Sequence, residues 1–422
     1  MAQLSDDCFA FGGELVSTEA ALAQLRERLI RVTETEAVPL LDALGRVLAE
    51  DVVADRSVPP HDNSAVDGYA VRFDDLDAAA ETRLPVTGRA AAGHPLDRAA
   101  RPGEAIRIFT GAVMPIGMDT VMMQEDCSET EDADGKRTVV IAPGIKRGAN
   151  RREAGEDVRS GDTVLSAGHV LRPQDLGLAA SLGRIDLPVS AQLRVALFST
   201  GDEIAEPGGP APEGFVYDSN RMTLRALLHG LGCAVEDLGI LPDDRPRIQA
   251  TLQDAAGRND LIMTSGGMSV GEEDHLRAAV NAVGTVHFWR LAIKPGRPVA
   301  MGQIGATPFL GLPGNPVAVM VTFLRIARPT ILLLCGATDV EPKLYRVRAD
   351  FAHRKKKSRR EWVRVRLATD EDGVQSAAKF PRDGAGILSS LVAADGLVEL
   401  GEDVTQLEPG TMVDFLPFNE VI

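Results

Sequence analysis

Val195-Ala-Leu-Phe-Ser-Thr200 is an almost wholly apolar run that ends in Gly201-Asp-Glu203. A run of this kind reads as a strand buried on both faces, which requires helices on both sides of its sheet. The chain downstream repeats the alternation. The pattern predicts a helix over 220–231, capped by Asp218 or Ser219, a strand over 235–240, a helix over 247–256 and a strand over 261–265. A helix near 274–283 follows, then strands near 286–290, 298–302 and 309–312, and a long helix over 317–334. Strands alternating with helices imply right-handed crossovers and a mostly parallel sheet. Residues 194–341 therefore read as an α/β domain.

The flanks read differently. Near the N-terminus, Ser17 is placed to cap a helix whose Leu22, Leu25 and Leu29 share a face, and a second helix is expected over 40–49, weakened by Gly45. Residues 54–161 hold short β-like runs separated by turn signals: Asp67-Gly-Tyr-Ala-Val, Leu84-Pro-Val-Thr, Ala105-Ile-Arg-Ile-Phe, Thr120-Val-Met-Met-Gln and Thr138-Val-Val-Ile, with Asp134-Gly135 between two of them. Helical pattern returns over 173–182, with Gly183 as its cap. The β unit thus reads as an insert that splits a helical domain made of 1–53 and 162–193. The tail, 342–422, alternates at period two, as half-buried antiparallel strands of a small barrel or sandwich do.

The chain has 422 residues, enough for two to four domains. Lys plus Arg number 45 against 61 Asp plus Glu, a formal net charge of −16. Such a field repels nucleic acid and anionic membrane, so neither is an expected partner, and 4% aromatic residues leave little for base stacking. No run of about 18 apolar residues is seen, so no membrane span is expected. The four cysteines lie far apart with no Cys-x-x-Cys pair, which argues for free thiols in a reducing cytoplasm.

In an open parallel sheet, ligands bind beyond the carboxyl ends of the strands. There the chain sets Thr200-Gly201-Asp202-Glu203, whose acids can hold a divalent cation, move a proton, or merely cap a turn. Asp243-Asp244 is a second acidic pair, or an N-cap. Thr264-Ser-Gly-Gly-Met-Ser-Val-Gly271 with Asp274 behind it suits an anion nest bridged by a cation, though it matches neither the dinucleotide nor the P-loop spacing. Lys294-Pro-Gly-Arg297, with Arg290 upstream, reads as an oxyanion clamp. Gly311-Leu-Pro313-Gly-Asn315-Pro316 combines fixed φ with close backbone approach. In the insert, the stretch 59–69, Phe109-Thr110 and Arg151-Arg152 with Glu156-Asp157 are charged or polar loops. The run His353–Arg360 reads as a solvated loop or hairpin, with contact to an anion as the alternative.

Together, Asp62-Asn-Ser-Ala-Val-Asp-Gly-Tyr, Thr110-Gly-Ala, Gly155-Glu-Asp, Ser199-Thr-Gly-Asp-Glu, Tyr217-Asp-Ser-Asn-Arg, Thr264-Ser-Gly-Gly-Met-Ser-Val-Gly, Lys294-Pro-Gly-Arg-Pro and Leu312-Pro-Gly-Asn-Pro resemble the motifs of the molybdopterin molybdenumtransferases, the family that includes the E domain of gephyrin. The resemblance spans nearly the whole chain. It implies a multidomain α/β plus β fold, with a split helical domain I, an inserted β domain II, an α/β domain III resembling the molybdopterin adenylyltransferases, and a β-barrel domain IV. It implies insertion of molybdenum from molybdate into adenylylated molybdopterin, with Mg²⁺-dependent pyrophosphate cleavage and release of AMP. It further implies a cytoplasmic homodimer whose cleft combines domain III with the mate's domain II, in contact with the adenylyltransferase and with molybdoenzymes.

Carried over residue by residue, the resemblance gives catalytic roles to Asp67, Thr110, Asp157, Glu203, Asp243 and Asp274, the last three as Mg²⁺ ligands. Substrate contacts fall on Arg152, Thr200, Gly201, Asn220, Ser265, Gly266, Gly267, Ser269, Gly271, Arg290, Lys294, Arg297, Pro313, Gly314, Asn315 and Pro316. Within that set, Lys294 and Arg297 would take molybdate. Arg290 and Arg297 stand where lysine is common, and Ala385 where a serine is. The competing readings are the adenylyltransferase step of the same pathway and a molybdopterin-binding scaffold without turnover. Molybdate and tungstate, both tetrahedral dianions, are not distinguished.

Overall fold

The computed structural model describes residues 15–267, 275–369 and 373–421. They fall into two compact units, one made of residues up to 50, 167–172 and from 186 onward, the other of 51–166 and 173–185.

The larger unit is built on a seven-stranded sheet ordered Leu15–Val16, Gly284–Leu291, Pro298–Ile304, Thr307–Leu312, Leu261–Ser265, Arg194–Thr200, Ala234–Leu241. Arg194–Thr200 pairs in parallel with both neighbours, and Leu261–Ser265 pairs in parallel with Thr307–Leu312. Pro298–Ile304 is antiparallel to the strand on each side, so the sheet is mixed at that edge. The apolar run of Arg194–Thr200 divides by parity. Val195 and Leu197 enter a core with Leu224, Leu228 and Phe323, while Ala196 and Phe198 enter a second core with Ile248, Leu252 and Leu276. Burying each such large side chain is worth roughly 1.5–3 kcal/mol.

The helix Ser219–Gly230 is capped by Asp218, which accepts from the Arg221 amide, and Arg245–Ala256 by Asp244, which accepts from the Arg247 amide. Thr18–Arg28 is capped by Ser17. The helix expected over 40–49 does not form: only a 3₁₀ turn, Leu40–Ala43, is present, and Gly45 takes φ +74°. Leu41 is 85% exposed, while Val47 and Leu48 are buried through extended bridges to Val170 and Val189, so the apolar residues of this stretch do not share one helix face.

The helix Pro316–Leu334 has a mean hydropathy of 1.8 and the length to cross a bilayer, which corrects the expectation that no stretch qualifies; 89% of that span is buried inside the protein, and it serves as a core helix. It carries a π turn at Phe323–Ala327, where buried Arg325 stacks 5.0 Å over the ring of Trp362.

The tail closes into a barrel. Arg360–Thr369 pairs with Gln375–Lys379 and with Gly396–Leu400; Met412–Pro417 pairs with Gly396–Leu400 and with Tyr345–Ala349, and Tyr345–Ala349 returns to Gln375–Lys379. Val347, Val365, Val398 and Phe415 fill it. Trp362, Leu397 and Leu416 on its other face join the α/β core. The 353–360 run is less solvated than expected: Arg359 pairs with Glu361 at 2.8 Å, and Arg360 with Glu399 at 2.7 Å and Glu402 at 3.0 Å.

In the smaller unit, a six-stranded sheet runs Thr120–Met123, Gly68–Val71, Ala105–Ile108, Thr82–Ala90, Arg137–Ile141, Cys127–Glu131. Its faces bury Ile106, Ile108 and Val121 on one side and Tyr69, Leu84 and Val139 on the other. Gly135, at φ +75°, turns the hairpin between its last two strands. The helix Pro173–Ser181 belongs to this unit and ends at Gly183, φ +84°. Cys127, Cys233 and Cys335 are free thiols, with burial pushing the last two up to about 12.

Candidate active site

The parallel strands Arg194–Thr200, Leu261–Ser265 and Thr307–Leu312 end at a cavity of about 620 Å³. Their loops supply its lining, as an open parallel sheet requires. After the first strand come Thr200, Gly201 and Glu203; after the second, Ser265, Gly266 and Gly267; after the third, Pro313, Gly314 and Asn315. Asp243 reaches the wall from the loop beyond Ala234–Leu241, and Asn220 from the helix Ser219–Gly230.

Hydrogen bonds tie these loops to one another. Asn220 Nδ2 donates to Gly314 O at 2.7 Å, and Ser265 Oγ to Pro313 O at 3.1 Å. Gly266 and Gly267 both take positive φ, +89° and +63°. A Cβ on Gly266 would sit 2.9 Å from the Thr200 carbonyl oxygen, and one on Gly267 2.5 Å from Thr200 Cγ2. Glycine is required at both, because the second loop folds against the end of the first strand. The Gly266 amide donates to Leu312 O at 3.2 Å, so it braces the loop and does not face a ligand. Ser199 belongs to the lining, and its Oγ is buried without a hydrogen-bond partner among the described residues.

Ser269, Gly271 and Asp274 lie outside the described residues. Among the described residues no cluster of three His, Cys, Asp or Glu is close enough to hold a metal ion. Two carboxylates on the wall, Glu203 and Asp243, together with a buried unpartnered hydroxyl, suit Mg²⁺ held as that ion is with phosphate substrates, by one or two carboxylates and the substrate's own oxygens.

Pro295, Gly296 and Pro298 line the same cavity, whereas Lys294 lines a smaller one of about 120 Å³ that shares Pro295 and Ala385 with it. Lys294 Nζ donates to Glu361 Oε2 at 3.2 Å. His353 Nε2 lies 3.0 Å from that oxygen, and Arg359 donates to Oε1 at 2.8 Å. Burial of Glu361 favours its neutral form, but the bonds from His353, Arg359 and Lys294 outweigh it and hold the carboxyl below its usual range. Arg290 and Arg297 are exposed and line neither cavity, and Pro316 begins the helix behind Asn315.

Several lining residues were not singled out from the sequence. In the sequence Asp218 reads as a helix cap and Gly296 as part of a basic loop, and although both fall within quoted family motifs neither carries a site role there. Gly296, at φ +110°, has Thr322 Cγ2 2.6 Å from where a Cβ would stand; the proline-glycine step was the available signal.

The smaller unit holds the remaining predicted residues. Asp67 Oδ1 accepts from both the amide and the hydroxyl of Thr110, each at 2.8 Å. Those bonds, the backbone one first, hold the Asp67 carboxyl below its usual range. Arg152 pairs with Glu156 through Nε, and the strand Arg151–Arg152 pairs with Asn63–Ser64. Asp157 is exposed, its amide donating to Val58 O at 3.1 Å.

Comparison with known proteins places this geometry. Residues 16–183 match the family described as MoeA N-terminal region (domain I and II), 196–332 the "Probable molybdopterin binding domain", and 346–418 the MoeA C-terminal region (domain IV). A molybdopterin molybdenumtransferase of Haemophilus influenzae is 37% identical over 409 residues, covering 97% of this chain and all of that protein. The chain belongs to the molybdopterin molybdenumtransferase family. As a member of that family it is a transferase enzyme. Molybdopterin molybdenumtransferase 2 of Mycobacterium tuberculosis is 35% identical over 395 residues, covering 91% of this chain and 95% of its own. The crystal structure of the molybdopterin biosynthesis moeA protein of Pyrococcus horikoshii superposes with a TM-score of 0.81 at 30% identity, covering 95% of this chain and 99% of that one.

Proposed function

We propose that this transferase inserts molybdenum from molybdate into adenylylated molybdopterin, cleaving the pyrophosphate link and releasing AMP and the molybdenum cofactor. The observation that carries the reading is the cavity at the carboxyl edge of the sheet, where Glu203, Asp243 and two glycines of positive φ stand within one hollow. The positive φ of the two glycines lets the second loop fold against Thr200 and shape the hollow, and Asn220 and Ser265 fix the wall against which a phosphate would rest. Glu203 and Asp243 would hold Mg²⁺, with Asp274 as the further candidate. Such an ion, when bound, neutralises pyrophosphate charge and polarises the bond to be broken. Lys294, held by Glu361, would present its ammonium to the molybdate dianion. The adenylyltransferase reading concerns 194–341 alone, whereas the likeness to molybdenumtransferases runs over 409 residues. A cytoplasmic homodimer that receives substrate from the adenylyltransferase and passes product to molybdoenzymes completes the proposal; the free thiols accord with that compartment.

The test supplies purified protein with adenylylated molybdopterin and Mg²⁺, with and without molybdate. AMP is expected to appear only when molybdate is present. Equal AMP release without molybdate, or none with it, overturns the reading.

A further inference from the structure

The inserted β sheet sets two arginines directly opposite each other. Thr82–Ala90 pairs in parallel with Ala105–Ile108, and Arg89 stands in register with Arg107. A bulge at Thr87 produces this: Val86 pairs with Ala105, but Gly88 pairs with Ile106. The extra residue reverses the facing of everything after it. Without the bulge, Arg89 would point to the face where Ile106 and Ile108 are buried.

The bulge is fastened. Thr87 Oγ1 donates to Glu104 Oε2 at 2.5 Å, and Arg98 Nη2 donates to Thr87 Oγ1 at 3.0 Å. Glu104 is only 6% exposed.

Both guanidiniums then lie over one ring, Arg89 4.7 Å and Arg107 4.6 Å from the centroid of Phe109. Arg107 is also bonded to Gly68 O at 2.7 Å and to the Gln124 side chain. Arg89 is exposed, and among the described residues its guanidinium makes no hydrogen bond or ion pair. Like charges opposite each other across strands are destabilising. Here they are kept by a built bulge, in a chain of net charge −16, over the ring of Phe109, the residue directly before Thr110 with its bond to Asp67.

We propose that Arg89 is a further substrate-binding residue, which with Arg107 holds a tetrahedral oxyanion beside the Asp67–Thr110 pair. A doubly charged anion removes the repulsion between the two cations, and the forked donors of Arg89 suit phosphate or molybdate equally. Phe109 is the platform that orders Arg89 before the anion arrives. This rests on the molybdenum transfer proposed above and on the catalytic roles that the family resemblance gives to Asp67 and Thr110.

Arg89→Met, Arg89→Lys and Phe109→Leu, made in the full chain, test it. Two concentrations are measured in each: half-saturating molybdate at saturating adenylylated molybdopterin, and the reverse. Arg89→Met is expected to raise one of them about tenfold, the worth of a lost charge-assisted bond. A rise for molybdate assigns the anion to molybdate, and a rise for the nucleotide assigns it to the substrate phosphate. Arg89→Lys recovers part of the loss, and Phe109→Leu loses a smaller amount in the same constant. The thermal midpoint of Arg89→Met is expected to stay or rise, since a like-charge contact is relieved. Both constants unchanged in Arg89→Met overturn the proposal, as does a loss that tracks a lowered midpoint. Wild-type protein that turns over normally beside an indifferent Arg89→Met sinks this inference alone; wild-type protein that releases no AMP sinks the reading beneath it.

Discussion

Glu104 shows what a single buried carboxylate does in this chain. Burial alone would raise its pKa, but bonds from Arg98 and Thr87 and from the Arg101 amide outweigh it and bring the group down to about 2. Its folded value therefore lies below its unfolded one near 4.5. The stabilisation is fully present above that unfolded value and is lost as pH falls through the folded one. Glu104→Gln is expected to lower the unfolding midpoint clearly at neutral pH, where it leaves Arg98 without its charged partner. The gap between variant and wild type should narrow steadily toward about pH 2–3; a gap independent of pH contradicts the account. Nothing in the sequence marked Glu104 or Arg89. Both depend on a bulge that period-two reading does not register.

At the scale of elements, strands buried on two faces were legible because parity sends alternate residues of one apolar run into different cores, as in Arg194–Thr200. The turn at Leu40–Ala43 was not, because Leu41 and Leu44 are apolar yet exposed, and pattern alone cannot distinguish an apolar surface from a helix face. The loop after Leu261–Ser265 is the element on which the site depends most closely. Gly266 meets the Thr200 backbone, which cannot swing aside as a flexible side chain can. Gly266→Ala combines that clash with an unfavourable positive φ, costing roughly 1–3 kcal/mol. Turnover is expected to fall at least about tenfold, with a lowered midpoint. An alanine variant with wild-type kinetics would show that the loop does not shape the pocket. Asp274 and Ser269, read from the same loop, lie outside the described residues.

For the whole molecule, the change from α/β alternation to period-two runs announced a barrel at the tail, and the ring of strand pairings closes it. The order of strands within the α/β sheet was less legible, since the antiparallel hairpins at 284–312 look in sequence like further parallel strands. The quoted loops that follow Arg194–Thr200, Leu261–Ser265 and Thr307–Leu312 converge because these parallel strands end on one edge. The central claim is that this edge cleaves the pyrophosphate. Its most direct test is the single-turnover rate of AMP release by the Glu203→Ala, Asp243→Asn double variant, measured beside its equilibrium affinity for adenylylated molybdopterin. The account predicts affinity within a few-fold of wild type and release slower by about a thousandfold or more. Release at the wild-type rate with both carboxylates gone would contradict it.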